Sequence, residues 1–206
     1  MQTTGRLFVV SGPSGSGKST MCRAAARRTG VHLSISATTR SRGPQEVDGR
    51  DYYFLSEKQF LAQMGAGEFL EFARVFDHYY GTPAQPVHER LARGENVILE
   101  IDVQGARQVF ARSKEAVGVL VLAPSQEEMV RRIRSRKRDD EAAIEKRLAK
   151  AEEEIRQARA CGRYVHTIVN DDLERAIGEL TALVRPGGPT ARQAANEGST
   201  ERQFDD

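Results

Sequence analysis

A chain of 206 residues is enough for one domain with small appended lobes and too little for two large ones. It is 39% hydrophobic and 29% charged, so it can bury a core; 31 basic against 29 acidic residues leave a net charge of only +2, which argues against a nucleic-acid coat or a polybasic membrane protein. Cys22 and Cys161 form neither a disulfide framework nor a zinc set, no apolar run approaches the ~20 residues of a membrane span, and Met1 to Arg6 lack the features of a secretion signal. The expectation is a soluble cytoplasmic protein.

In chain order, Leu7-Phe8-Val9-Val10 reads as a buried parallel strand that stops at a glycine-rich turn. Lys18 to about Arg28 predicts a helix, and Leu33 to Ser36 a second strand, which together suggest a βαβ unit and a parallel sheet. Residues 37 to 90 change character, rich in Gly, Tyr, Phe and polar side chains, and read as an inserted lobe that carries binding groups. Ser56 with Gln59 has capping-box spacing and predicts a helix from Glu57. Val97 to Asp102 is a strand that ends acidic, followed by a helix from Val103 to Lys114. Val117 to Leu122 is another buried strand. Ser125 and Glu128 predict a second capping box opening a helix toward Arg136. A long charged helix from Asp140 to Ala160 carries Ile144, Leu148, Ala151 and Ile155 as one apolar stripe. Thr167 to Val169 and Leu173 to Val184 are a last strand and helix, and the Pro-Gly-rich stretch after Pro186 predicts a disordered tail.

Gly12-Pro13-Ser14-Gly15-Ser16-Gly17-Lys18-Ser19, followed by Thr20, matches the phosphate-loop pattern G-x-x-x-x-G-K-[ST] between a predicted strand and a predicted helix. Glycines let the backbone curl so that N–H groups point into one concavity, and the following helix offers its positive end. Lys18 supplies a mobile charge for the β- and γ-phosphates, and Ser19 a hydroxyl for Mg²⁺. The pattern predicts a nucleoside triphosphate and leaves the acceptor open.

Further motifs narrow the choice. Ser34-Ile35-Ser36-Ala37-Thr38-Thr39-Arg40, Glu46-Val47-Asp48-Gly49-Arg50-Asp51-Tyr52-Tyr53-Phe54, Gly67 to Ala73, Tyr79-Tyr80-Gly81-Thr82, Leu99 to Arg107 and Ile168 to Leu173 resemble, in this order, the guanylate kinase family, over about Leu7 to Val184. The resemblance implies an α/β phosphate-loop NTPase with a three-layer parallel sheet, an inserted GMP-binding lobe and a short lid. It implies transfer of the γ-phosphoryl of ATP to GMP or dGMP with Mg²⁺, giving GDP and ADP. The implied divisions are a core of 1–36, 94–130 and 151–185, a GMP lobe of 37–93, a lid of 131–150, and the tail 186–206.

The family positions fall on residues suited to those roles. Glu71 matches the carboxylate that takes guanine's N1–H and 2-amino donors side by side, with Ser36, Thr82 and Asp102 around the base. Arg40, Tyr52 and Tyr80 match the clamp on the GMP phosphate, and Gly81 is expected at a tight turn near the ligand. Where the family reads Arg-x-x-Arg-x-Gly-Glu, this chain has Gly43 at the second arginine position and Arg42 one place early. Glu100, often Asp in the family, matches the acidic group near Mg²⁺. Arg131 to Arg138 holds six cations in eight residues, just where the family has its lid. Arg132, Arg136 and Arg147 match lid arginines that stabilise phosphoryl charge, Lys137-Arg138 stands where Gly-Thr is usual, and Asn170 matches a residue at the adenine end, with helix capping as its alternative. A catalytically dead peptide-binding relative is expected to lack the intact loop that Lys18 and Ser19 complete here. No nucleic acid and no membrane partner are expected, and the oligomeric state is left between monomer and homodimer.

Overall fold

Strand β1 (Leu7–Ser11) is buried at every position, and the two-residue alternation of a strand divides it between two cores. A computed structural model describes residues 4–75, 77–135 and 141–188 of the chain. Within them β1 is followed by α1 (Lys18–Thr29), β2 (His32–Leu33), β3 (Ala37–Thr38), β4 (Tyr53–Phe54) and α2 (Glu57–Gly65). Next come β5 (Phe69–Val75), β6 (His78–Pro83), α3 (Ala84–Ala92), β7 (Val97–Glu100), α4 (Val103–Arg112) and β8 (Val117–Leu122). The chain then runs through α5 (Gln126–Arg134), α6 (Glu141–Cys161), β9 (Tyr164–Val169) and α7 (Leu173–Val184).

Among the described residues, one sheet has the order β2-β7-β1-β8-β9 with every pairing parallel. Phe8 and Val10 pack with Met21, Cys22 and Ala25 of α1 and with Ala176, Ile177 and Leu180 of α7 on one face. Leu7 and Val9 pack with Ala106, Val109 and Phe110 of α4 on the other, where Val103, Leu120 and Ala158 of α6 add a second cluster. These are the three expected layers. β1 lies between β7 and β8, so the chain reverses its direction of travel across the sheet there, and the crevice beyond the strand ends at such a reversal is where open α/β sheets bind ligands. A second, mixed sheet of order β4-β3-β6-β5 forms the inserted lobe, with Phe60 of α2 stacked on Phe69 at 4.5 Å between ring centres.

Several elements differ from the sequence reading in instructive ways. Only His32–Leu33 pairs in the region read as a strand to Ser36. Ser34 still donates to the Ile98 carbonyl at 2.9 Å, but the Ser36 carbonyl already accepts from Tyr53 of the second sheet, so the Ser-Ile-Ser run is the crossing between sheets. β9 begins at Tyr164, three residues earlier than its apolar run, because an edge strand keeps alternate side chains exposed. Helix α4 stops at Arg112, short of Lys114. The Ser56–Gln59 capping box is complete. At Ser125 only half of one forms: its hydroxyl accepts from Glu128 N–H, while the Glu128 carboxylate turns to Arg131 and Arg132, which hold its carboxyl down to about 2. Arg136, Lys137, Arg138 and residues 189–206 of the expected tail lie outside the described residues.

Candidate active site

Helix α1 starts without a side-chain cap and without an acidic residue in its first turn, whereas α2, α4, α5 and α7 begin on Ser56, Asp102, Ser125 and Asp172 caps. Its first-turn N–H groups therefore face the loop Gly12–Ser19 with no internal anion to satisfy them, the arrangement that favours a phosphate. Gly17, at φ 92°, turns the chain into the helix in the left-handed region, and a Cβ there would lie 2.2 Å from Asn170 Nδ2. Lys18 Nζ donates to the Gly12 carbonyl at 2.6 Å, which keeps its ammonium over the loop. The Ser19 hydroxyl donates to Glu100 Oε1 at the end of β7.

The loop lines a cavity of about 390 Å³ together with Ser36, Tyr52, Glu71, Tyr80, Glu100, Asp102 and Arg147. At its far end Glu71 is 4% exposed, and its Oε1 accepts from Thr82 Oγ1 at 2.6 Å. Burial pushes its carboxyl up to about 7, the Thr82 hydrogen bond works against that, and Asp102 adds to it. Asp102 caps α4 through Oδ1, which accepts from Gly105 N–H at 2.9 Å, while its Oδ2 is buried without a hydrogen-bond partner among the described residues. Two carboxylates with uncommitted acceptor capacity thus meet where an amidine-like donor edge fits.

Not every expected residue lines the cavity. Arg40 forks onto Glu46 with two contacts of 2.8 Å and lies 5.4 Å from the Tyr52 ring centre. That carboxylate, with Tyr80, raises the guanidinium's affinity for its proton. Arg42 is exposed. Gly81 is not in a tight turn: it sits inside β6 opposite Phe72, and a Cβ there would press within 3.1 Å of Phe60 and Phe69, so space for the aromatic stack accounts for it. Arg132 donates to Glu128 Oε1 at 2.6 Å and to the Asn170 carbonyl at 2.9 Å, beside the loop, with Nη1 buried and without a hydrogen-bond partner among the described residues. Asn170 caps no helix, since Asp172 has that place; it is 3% exposed and its Nδ2 donates to the Ser16 carbonyl at 2.8 Å, bracing the loop from behind. Arg136 is outside the described residues.

Three residues overlooked in the sequence belong to the site. Gly105 closes on Glu71: a Cβ would lie 2.2 Å from Glu71 Oε2. Lys150 and Glu154 of α6 line the cavity. Their spacing of three and seven from Arg147 was the available signal, masked by the charge of the whole helix.

A phosphate loop at the reversal point of a parallel sheet, with a charged helix and an acidic pocket lining the same cavity, defines a phosphate-loop phosphotransferase. The guanylate kinase family profile matches residues 4–186. The chain is 48% identical over 181 residues to a guanylate kinase of Symbiobacterium thermophilum, covering 87% of this chain and 84% of that one, and 48% identical over 184 residues to one of Thermosynechococcus vestitus, covering 88% and 95%. The crystal structure of a guanylate kinase from Anaplasma phagocytophilum superposes with a TM-score of 0.73 at 30% identity over 98% of this chain and 97% of that one. This chain belongs to the guanylate kinase family.

Proposed function

We propose that the chain is a guanylate kinase that transfers the γ-phosphoryl of ATP to GMP or dGMP. The observation that carries this reading is the buried Glu71, held by the Thr82 hydroxyl and lining the same cavity as the phosphate loop. An ionised Glu71 accepts from N1–H and the 2-amino group of guanine together, and Asp102 Oδ2 and Ser36 stand beside it. Adenine lacks that donor pair and would leave a buried carboxylate unpaired, a loss worth several powers of ten where a site is built for hydrogen bonds.

In the proposed division of labour the loop N–H groups and Lys18 hold the triphosphate, Tyr52 and Tyr80 hold the acceptor phosphate with Arg40 brought alongside, and Arg132 and Arg147 approach the transferring group. Arg136 is assigned to the same lid by resemblance alone. A GMP phosphate oxygen attacks the γ-phosphorus in line; the new O–P bond forms as the bond to the β-phosphate oxygen breaks, and ADP leaves with that electron pair. The attacking group is already anionic near neutral pH, so the protein supplies position and charge rather than a strong base. Ser19 and Glu100 are hard oxygen donors that meet at the loop, and one hydroxyl and one carboxylate beside substrate phosphates suit Mg²⁺; among the described residues no larger ligand cluster exists. Bound there, Mg²⁺ neutralises charge on the β- and γ-phosphates.

We extend the proposal to a core of 1–36, 94–130 and 151–185, an acceptor lobe of 37–93 and a lid of 131–150 that closes to exclude water. Cytoplasmic location fits two cysteines without a disulfide and the absence, among the described residues, of a helix long and apolar enough to cross a membrane. The test is an ADP-release assay across GMP, dGMP, AMP, CMP and UMP. GMP and dGMP are expected to turn over; equal turnover of AMP would defeat the guanine assignment.

A further inference from the structure

Helix α6 turns a face toward the cleft on which Arg147, Lys150 and Glu154 follow at spacings of three and four, and all three line the cavity shared by the phosphate loop and the base pocket. Lys150 Nζ stands 3.6 Å from Glu154 Oε1, with the lysine side chain 35% exposed and the glutamate 14%. The ammonium is thus at the surface of the cavity and the carboxylate beneath it. Burial raises the Glu154 carboxyl; Lys150 and Lys18 oppose the rise and Asp102 adds to it. Glu154 lines the same cavity as Lys18 of the triphosphate cradle and Asp102 of the base pocket. The acceptor's phosphate has to lie between cradle and base pocket to attack in line.

The loop of residues 40–46, where the family's acceptor-phosphate arginines fall, contributes no lining residue to the cavity. Gly43 occupies the second arginine position, and its N–H donates to Glu46 Oε2 at 2.7 Å; a Cβ there would come within 2.9 Å of the same oxygen, so the loop is shaped around glycine. Arg42 is exposed, and Arg40 is shared with Glu46. Among the described residues, the cations that line the cavity are Lys18, Arg147 and Lys150, against Glu71, Glu100, Asp102 and Glu154.

We infer that Lys150 contacts the phosphate of the acceptor nucleotide from the lid side, held over the cleft by Glu154, and replaces the charge that Gly43 leaves out. The 3.6 Å ion pair with Glu154 holds the ammonium on the cavity wall, where a dianionic phosphate would meet it. Lys150 in turn shields Glu154, whose charge would otherwise repel the same phosphate. Lys150 is a substrate-contacting residue in this scheme and Glu154 a positioning residue that acts through it.

The inference rests on the GMP assignment, so wild-type turnover of GMP is measured first; failure there strikes the proposed function as a whole. With that established, Lys150→Gln is expected to raise the GMP KM by about tenfold or more, as loss of a charge-assisted contact does, and to leave the ATP KM within about twofold. Lys150→Arg is expected to return the GMP KM to within about threefold of wild type. Calorimetry with guanosine, which has no phosphate, is expected to give equal affinity for wild type and Lys150→Gln. Glu154→Gln is expected to raise the GMP KM by about threefold, and the double variant to be no worse than Lys150→Gln alone. An unchanged GMP KM in Lys150→Gln, a rise confined to ATP, or equal losses for guanosine and GMP would each overturn the contact. Additive effects in the double variant would overturn the role of Glu154.

Discussion

In the donor half of the cleft the lining is one contiguous backbone loop, Gly12 to Ser19, whereas the acceptor half is assembled from single side chains: Ser36 between sheets, Tyr52 before β4, Glu71 on β5, Tyr80 on β6, and Asp102 at the head of α4. A backbone cradle needs only a turn that glycine permits and a helix end left uncapped, so it comes as one contiguous stretch. A base-reading pocket needs one carboxylate buried at one depth. That demands close approach from several elements, seen in Gly105 against Glu71 and in the Thr82 hydroxyl that holds its oxygen. Damage to the donor half is therefore expected in turnover with every acceptor, and damage to the acceptor half in the choice and affinity of the acceptor.

The largest expected effect is on the donor side. Lys18→Ala is expected to lower kcat by on the order of 10³-fold with every accepted nucleotide, since a positioned cation on the transferring phosphoryl is worth that much. The fold is expected to survive, because among the described residues Lys18 bonds only to carbonyls of its own loop. Steady-state turnover beside circular dichroism checks both, and wild-type-like turnover would count against the loop.

The next effect separates the two halves. Glu71→Gln is expected to raise the GMP KM by about 10²-fold and to leave the ATP KM alone, since an amide presents a donor where the base presents donors. A carboxyl at about 7 also makes base binding depend on pH. Between pH 6 and pH 8 the ionised fraction rises, so guanosine affinity, free of phosphate titration, is expected to rise about tenfold in wild type and to stay flat in Glu71→Gln. Stability runs the other way. The folded carboxyl keeps its proton to a higher pH than the unfolded one, so the stability it contributes is full below about 4.5 and is lost as pH rises through about 7. The Tm of Glu71→Gln relative to wild type is expected to improve over that window; a constant difference would show that Glu71 is not held near neutrality.

The same contrast explains how much was legible in the sequence. The phosphate loop and its flanking strand and helix were readable from spacing, because their chemistry is local. Glu71, Tyr52, Tyr80 and Asp102 were reached through resemblance and do line the cavity. Gly81 was misplaced because it makes room for a stack formed by Phe60 and Phe69, and the capping alternative for Asn170 fails because its side chain braces Ser16 from 154 positions away, neither visible in a linear pattern. Glu128 was read as the return half of a capping box, a local rule that lost to two neighbouring arginines. Lys150 and Glu154 were hidden because every turn of α6 carries charge, so the face toward the cleft does not differ in composition from the face toward solvent.

A smaller effect sharpens the acceptor side. Gly105→Ala adds one methyl group to the first turn of α4, where alanine is the better helix former. Its Cβ would lie 2.2 Å from Glu71 Oε2, so the carboxylate has to move. The GMP KM is expected to rise by about tenfold with the ATP KM unchanged, a graded version of the Glu71 result. An unchanged GMP KM would mean that the position of this oxygen does not matter to the base.

The smallest expected effect concerns what holds the donor cradle still. Asn170→Ala removes the Nδ2 donor to the Ser16 carbonyl and leaves that carbonyl buried, at about 1–2 kcal/mol. In a chain of this size that is a fall in Tm of about 3–6 °C. The Arg132 contact survives, because it is made to the backbone carbonyl of Asn170. If Asn170 acts by bracing the loop, the ATP KM rises by only about threefold, the GMP KM is unchanged, and the loss of Tm is partly recovered when ATP is bound, since phosphates then restrain the same loop. If Asn170 instead contacts the donor's base, the order reverses: the ATP KM rises by about tenfold or more while the Tm of the unliganded protein stays within about 1 °C of wild type. Melting curves with and without ATP, set beside the two KM values, separate a support from a contact on the half of the site where backbone otherwise does the binding.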